Sequence, residues 1–231
     1  MAGTLFVVAT PIGNLEDMTF RAVRILAEAD LIAAEDTRHS KILLAKYNIN
    51  TPLTSYHKFN IKAKTAYLID LLKQGKNLAV VSDSGMPGIS DPGYQVIRES
   101  VAQGIKVEII PGPSAVITAL VGSGLPTDEF TFVGFLPKKP GKRRKKLASL
   151  MGEDRTIVIY ESPFRIIKTL DEIIKIDNNR RVAVCRELTK KFEEIIRGKG
   201  GEVLDKLKGR TVRGEIVLVI SGQDTQRERD S

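Results

Sequence analysis

The sequence predicts an α/β protein of two lobes. The first, residues 1–124, is built on a mostly parallel sheet; the second, 125–231, is an α/β lobe with more antiparallel pairing. Three observations carry this. Through the first lobe, short apolar β-type runs alternate with stretches of helical period. Beyond residue 128 the apolar runs crowd together, with only two or three helical stretches among them. Between the two patterns, GSGLPTD at 122–128 has the composition of a hinge.

The elements follow in order. Residues 5–9 read as a strand ending in the breaker run TPIGN. Thr19 is placed to N-cap a helix through Phe20, Val23, Leu26 and Ala27. A strand at 31–34 ends in the polar cluster EDTRHS, and a helix follows to about Tyr47. The helix at 62–73 stops at Gly75. A buried-type strand at 78–81 leads into the long loop SDSGMPGISDPG, followed by a helix at 95–102. A strand at 107–110 runs into PGPS, and Ser114 can cap a helix at 115–121. In the second lobe 130–134, 156–160, 181–185, 193–197 and 215–220 are strand candidates, and the polar tail at 223–231 is expected to fray.

Bulk properties limit the function classes. No apolar stretch approaches the roughly 20 residues of a membrane helix. The N-terminus has no basic region before its short apolar run, which Pro11 ends, so it reads as a strand and not a signal peptide. With one cysteine, Cys185, no internal disulfide is available, and the cytoplasm is the expected compartment. Two histidines, His39 and His57, and one cysteine give no zinc spacing, so no metal is expected. Cys185 lies in the apolar run VAVC and reads as a buried thiol.

Chemistry concentrates at strand ends, where open α/β sheets bind ligands. Three successive ends carry glycine- and proline-rich loops: 10–14, 82–93 and 111–115. Glycine lets backbone groups approach a ligand, and proline stiffens the loop. There is no GxxxxGK[ST] and no GxGxxG after the first strand. The four residues GKGG at 198–201 lack the right spacing and read as a turn. The cofactor expected here is not one held chiefly by phosphates. Two charged clusters, EDTR at 35–38 and RELTK at 186–190, are either self-neutralising ion pairs or a polar wall for a substrate hydroxyl. YESP closes another strand in the same style.

The net charge is +8, and 138–147 (KKPGKRRKKL) holds seven cations with no acid: Lys138, Lys139, Lys142, Arg143, Arg144, Lys145 and Lys146. Without those seven the chain would carry +1. So local a charge suits docking to nucleic-acid phosphates. No aromatic residue interrupts it, so it would position a backbone and not read bases.

The ordered set VVATPIGNLEDMTFRA, AAEDTRHS, VVSDSGMPGISDPGY, PGPSA, SGLPTDEFTFVGFLP, YESPFR, RELTKKFEE and GEIVLVISG resembles the bacterial ribosomal RNA small-subunit methyltransferase I family, of the tetrapyrrole-methylase fold group. The resemblance covers residues 3–222. It implies S-adenosylmethionine-dependent 2′-O-methylation of a cytidine ribose in 16S ribosomal RNA, a two-lobed fold with the cofactor in the cleft, and commonly a homodimer. It implies cofactor contacts at Ile12, Asp83, Gly85, Met86, Ser114, Ala115, Leu188 and Gly214. A ribose hydroxyl needs a general base, and Glu187, Asp36 and Lys190 are the candidates. The family loop usually reads SDAGTP, where this chain has Ser84 and Met86, and Phe164 stands where the family usually has histidine. Longer relatives carry a C-terminal extension that this chain is expected to lack. The competing readings are a tetrapyrrole C-methyltransferase of the same fold and a non-catalytic RNA-binding protein; the basic run argues against the first.

Overall fold

A computed structural model describes residues 2–223, so the tail expectation falls, but for Gln223, outside the described residues. The chain divides into two compact units, Met1–Ser114 and Ala115–Ser231.

The first unit runs β1 (Thr4–Val8), α1 (Phe20–Glu28), β2 (Leu31–Ala34), α2 (Thr37–Lys46), β3 (Leu53–Ser55), α3 (Ile61–Lys73), β4 (Leu78–Val81), α4 (Tyr94–Ala102) and β5 (Lys106–Ile110). Its five strands lie in the order β3-β2-β4-β1-β5, every neighbouring pair parallel. Parallel neighbours require crossover helices, and α1 to α4 supply them on both faces. One face packs Ala22, Ile25 and Leu26 of α1 and Leu43 and Leu44 of α2 on Val8, Ile32 and Ala34. The other packs Leu68, Ile69 and Leu72 of α3 and Val96 of α4 on Leu5, Val7, Ala33 and Val80. Neighbouring residues of β2 thus serve opposite cores, as the two-residue repeat of a strand demands. Thr19 caps α1 by accepting from the Ala22 amide at 3.1 Å. The short edge strand β3, three half-buried residues, carries too little pattern to be read from sequence.

The second unit runs α5 (Ala115–Ser123), β6 (Phe130–Phe135), α6 (Pro140–Met151), β7 (Thr156–Glu161), α7 (Ile166–Ile176), β8 (Arg181–Arg186), β9 (Glu194–Lys199), α8 (Gly200–Leu207) and β10 (Ile216–Ile220). Its sheet has the order β6-β7-β10-β8-β9, parallel between β6 and β7 and antiparallel elsewhere. Leu147 and Leu150 of α6, Leu170 and Ile173 of α7, and Val203 and Leu207 of α8 cover one face.

Two sequence expectations shift. The division falls at Ser114/Ala115 and not at 124/125, because α5 packs on β8, β9 and β10. The hinge-like GSGLPTD run is a helix stop: Ser123 Oγ donates to the Leu120 carbonyl and accepts from the Leu125 amide, and Gly124 takes φ +68°. Likewise GKGG is no free turn, since Gly200 opens α8 directly after β9.

Candidate active site

In the first unit, β1 and β4 are neighbours whose chains leave in opposite directions, β1 toward β2 and β4 toward β5. The crossover helices α1 and α4 therefore lie on opposite faces. This is the switch point at whose carboxyl ends open α/β sheets form a ligand crevice. The two loops meet there. Thr10 and Gly85 exchange backbone hydrogen bonds of 2.9 and 3.0 Å, and the Thr10 hydroxyl donates to the Ser82 carbonyl at 3.1 Å. Gly85 holds φ +77°; a Cβ there would stand 3.6 Å from Ile12 and 3.7 Å from the Pro113 carbonyl. Three expected cofactor loops, represented by Ile12, Gly85 and Pro113, therefore converge on one glycine. Ser114 directly follows Pro113. The Met86 side chain packs against the Leu5–Val80 core, so what it offers a ligand is backbone.

Carboxylates follow β2 and β4 at this end of the sheet. Asp83 Oδ1 accepts the Asp36 amide at 3.0 Å and ties the end of β4 to the end of β2. Asp36 caps α2 and grips Arg38 through 2.7 and 3.1 Å bonds; those bonds hold its carboxyl far below the ordinary range. Glu35 behaves oppositely: burial first, then the neighbouring Asp83 charge, raises it. A half-buried acid with a raised pKa at a strand end is a functional candidate. Reading the sequence singled out the cluster but not this residue, because only burial distinguishes Glu35 from Asp36.

The second unit holds the other group. Glu187, at φ 51°, accepts from Lys190 Nζ at 3.1 Å and from the Glu215 amide at 2.9 Å, both on Oε1. Lys190 also reaches Glu215 at 2.9 Å. Burial raises Glu187, but the Glu215 amide and Lys190 outweigh it and leave the carboxyl below its ordinary value. Two carboxylates raise Lys190 despite its burial, so it stays protonated at neutral pH. Leu188 is buried and Thr189 takes φ 63°, so the turn is strained at two positions. Arg186, Glu187, Phe192, Arg210, Arg213 and Gly214 are among the residues lining a pocket of about 270 Å³. Ala115 opens α5 in this same unit.

The basic run needs correction at one residue. From Pro140 on it forms the start of α6, a helix that reading the sequence missed, because the core-facing series 143, 147, 150, 151 begins with an arginine. Arg143 is buried and makes 2.9 and 3.2 Å bonds to Glu172. It is a structural ion pair and not a phosphate contact. Lys138, Lys139, Lys142, Arg144, Lys145 and Lys146 are exposed.

Several remaining residues are structural. Cys185 is buried, with its Sγ 3.8 Å from the Ala119 carbonyl, and burial pushes its thiol up to about 12. Glu161 of YESP is buried and satisfied by Arg165, Thr169 and the Ser162 amide at 2.7 Å each. Phe164 is exposed. Among the described residues no group of histidine, cysteine and acids could hold a metal, and no helix is long and apolar enough to cross a membrane.

The tetrapyrrole (corrin/porphyrin) methylase family matches residues 4–204. The ribosomal RNA small subunit methyltransferase I of Halalkalibacterium halodurans is 49% identical over 226 residues, 98% of this chain and 78% of that protein. Its namesake in Thermotoga maritima is 48% identical over 223 residues, 96% of this chain and 100% of that one. Among solved structures, a uroporphyrin-III-C-methyltransferase from Thermus thermophilus gives a TM-score of 0.67 at 19% identity, over 95% of this chain and 94% of that chain, a likeness of fold. With its glycine crevice and both sheets inside matches of this extent, the chain belongs to the ribosomal RNA small subunit methyltransferase I family, within the tetrapyrrole methylases.

Proposed function

We propose that this chain is an S-adenosylmethionine-dependent methyltransferase acting on the 2′-oxygen of a cytidine ribose in 16S ribosomal RNA of the small subunit. The observation that carries the reading is the crevice at Gly85, where backbone-rich loops meet beside the carboxylates Asp83 and Glu35. Such a place suits a cation that bears no phosphate. S-adenosylmethionine, when bound, supplies a methyl group on a positively charged sulfur. Ile12, Asp83, Gly85, Met86 and Ser114 of the first unit and Ala115, Leu188 and Gly214 of the second are its proposed contacts.

Glu187, Asp36 and Lys190 remain the proposed catalytic set, with unequal roles. A base must be unprotonated and able to take a proton. Lys190 is held charged, and Asp36 is weakened by Arg38. Glu187 is ionised at neutral pH and uses only Oε1 for Lys190 and the Glu215 amide. It is the proposed base, aligned by Lys190. Six exposed cations of 138–146 hold the RNA backbone. The working form is a homodimer, as the family resemblance implies, and the cytoplasm, where a chain with one cysteine needs no disulfide, is its proposed compartment.

The test is methyl transfer from radiolabelled cofactor to naked 16S ribosomal RNA and to small subunits lacking the modification, with the label mapped by nucleotide. Label on the 2′-oxygen of one cytidine supports the reading. Label on neither substrate, or on a base, overturns it.

A further inference from the structure

In the first unit, the segment joining β3 to α3 carries chemistry that the proposed site does not use. Residues 55–69 read SYHKFNIKAKTAYLI: three lysines, His57, three aromatic rings and no carboxylate. Phe59 is 85% exposed although it sits on a firmly built turn. The Asn60 side chain makes that turn, accepting the His57 amide at 2.9 Å and donating to the Ser55 carbonyl and hydroxyl at 3.2 Å each. Lys58 Nζ stands over the Phe59 ring at 5.0 Å, and the His57 ring meets its edge at 5.9 Å. One turn further along α3, Lys64 Nζ stands 4.8 Å over Tyr67, itself 47% exposed. No side chain caps the start of α3, whose amides add positive field.

The other exposed rings lack this setting. Phe20 and Phe164 have no cation over them among the described residues. Tyr94 and Phe192 do, but Glu99 shares a helix with Tyr94 and Glu193 directly follows Phe192, whereas the nearest acid in sequence to Phe59, Asp70, is eleven residues on. Position matters too. Lys58 is close enough to Glu35 to lower its carboxyl, against burial and Asp83, which raise it. The platform therefore adjoins the acidic end of the crevice.

We infer that residues 57–67 form a docking platform for single-stranded RNA, with one base stacked on Phe59 and the flanking phosphates held by Lys58 and Lys62. The inference rests on the proposed RNA methylation for the identity of its polyanion. A rigid exposed ring loses little entropy on stacking, and stacking tolerates any base. The lysines supply the sequence-independent, salt-sensitive share of binding. Unlike the basic helix α6, this surface combines cations with rings and can hold a base out of its stack.

The test is fluorescence anisotropy with a fluorescein-labelled ten-nucleotide oligocytidylate and the full chain. Phe59→Ala should weaken binding about tenfold with an unchanged salt slope, and Phe59→Tyr should restore it. Lys58→Gln with Lys62→Gln should lower the log–log salt slope by about 1.4, at roughly 0.7 per contact. Wild-type affinity in Phe59→Ala, or no binding by the wild-type protein, overturns the inference. The two failures separate cleanly. A protein that labels 16S ribosomal RNA but ignores the Phe59 change loses only the platform. One that binds through Phe59 but labels no RNA loses only the activity.

Discussion

The Glu187 carboxyl group occupies the space a side chain at residue 214 would need: a Cβ on Gly214 would stand 2.4 Å from both Cδ and Oε1 of Glu187. Gly214 also holds φ +88°, which favours glycine. Gly214→Ala should therefore push the Glu187 carboxylate off Lys190 and the Glu215 amide. We expect methyl transfer to fall at least about tenfold, with a stability loss on the order of 1–2 kcal/mol from the backbone strain. Turnover at saturating cofactor, beside a thermal melt, checks both.

Gly85 tests the crevice differently. Its φ of +77° is strained for alanine, yet a Cβ would meet Ile12 and the Pro113 carbonyl only at ordinary contact distances of 3.6 and 3.7 Å. The added methyl fills the meeting point of the loops without a clash. Gly85→Ala should cost about 1 kcal/mol of stability and weaken S-adenosylmethionine binding several-fold, measured by calorimetry.

Glu35 makes a pH prediction. Its carboxyl is raised in the folded protein, by burial first and by Asp83 second. A raised acid favours the folded state below its unfolded pKa, and that advantage is lost as pH rises through the folded value. Glu35→Gln should thus raise the denaturation midpoint at pH 7 and leave it unchanged near pH 3. Urea melts at the two pH values decide it; an equal shift at both refutes the assignment.

Arg143 and Lys142 are chain neighbours with opposite expected consequences. Arg143→Ala strands the half-enclosed Glu172 carboxylate and should cost about 3–5 kcal/mol. Lys142→Ala should leave the melt unchanged and reduce the salt dependence of RNA binding. Equal effects of the two changes on folding would contradict the buried pair.

Cys185 should resist thiol reagents at pH 8 in the folded protein, since burial pushes its pKa to about 12. Reaction should appear only with denaturant, followed by Ellman's reagent.

Local pattern alone determined a great deal here. The bounds of β2 and β4, the Thr19 cap and the alternation of strand and helix in the first unit were legible, because pleat and helix periods are written in short stretches of chain. So was the loop at 82–93, from its glycines and prolines. Tertiary structure decided what neighbours distant in sequence impose. It moved α5 to the second unit, because a helix belongs to the sheet it packs on. It turned Arg143 from an expected phosphate contact into a core ion pair, because Glu172 lies on another helix. It also separated Glu35 from Asp36, adjacent acids that composition cannot tell apart, because burial beside Asp83 raises one and Arg38 lowers the other. Charge, burial and partner act through space, and the linear order of residues records only their chemical types.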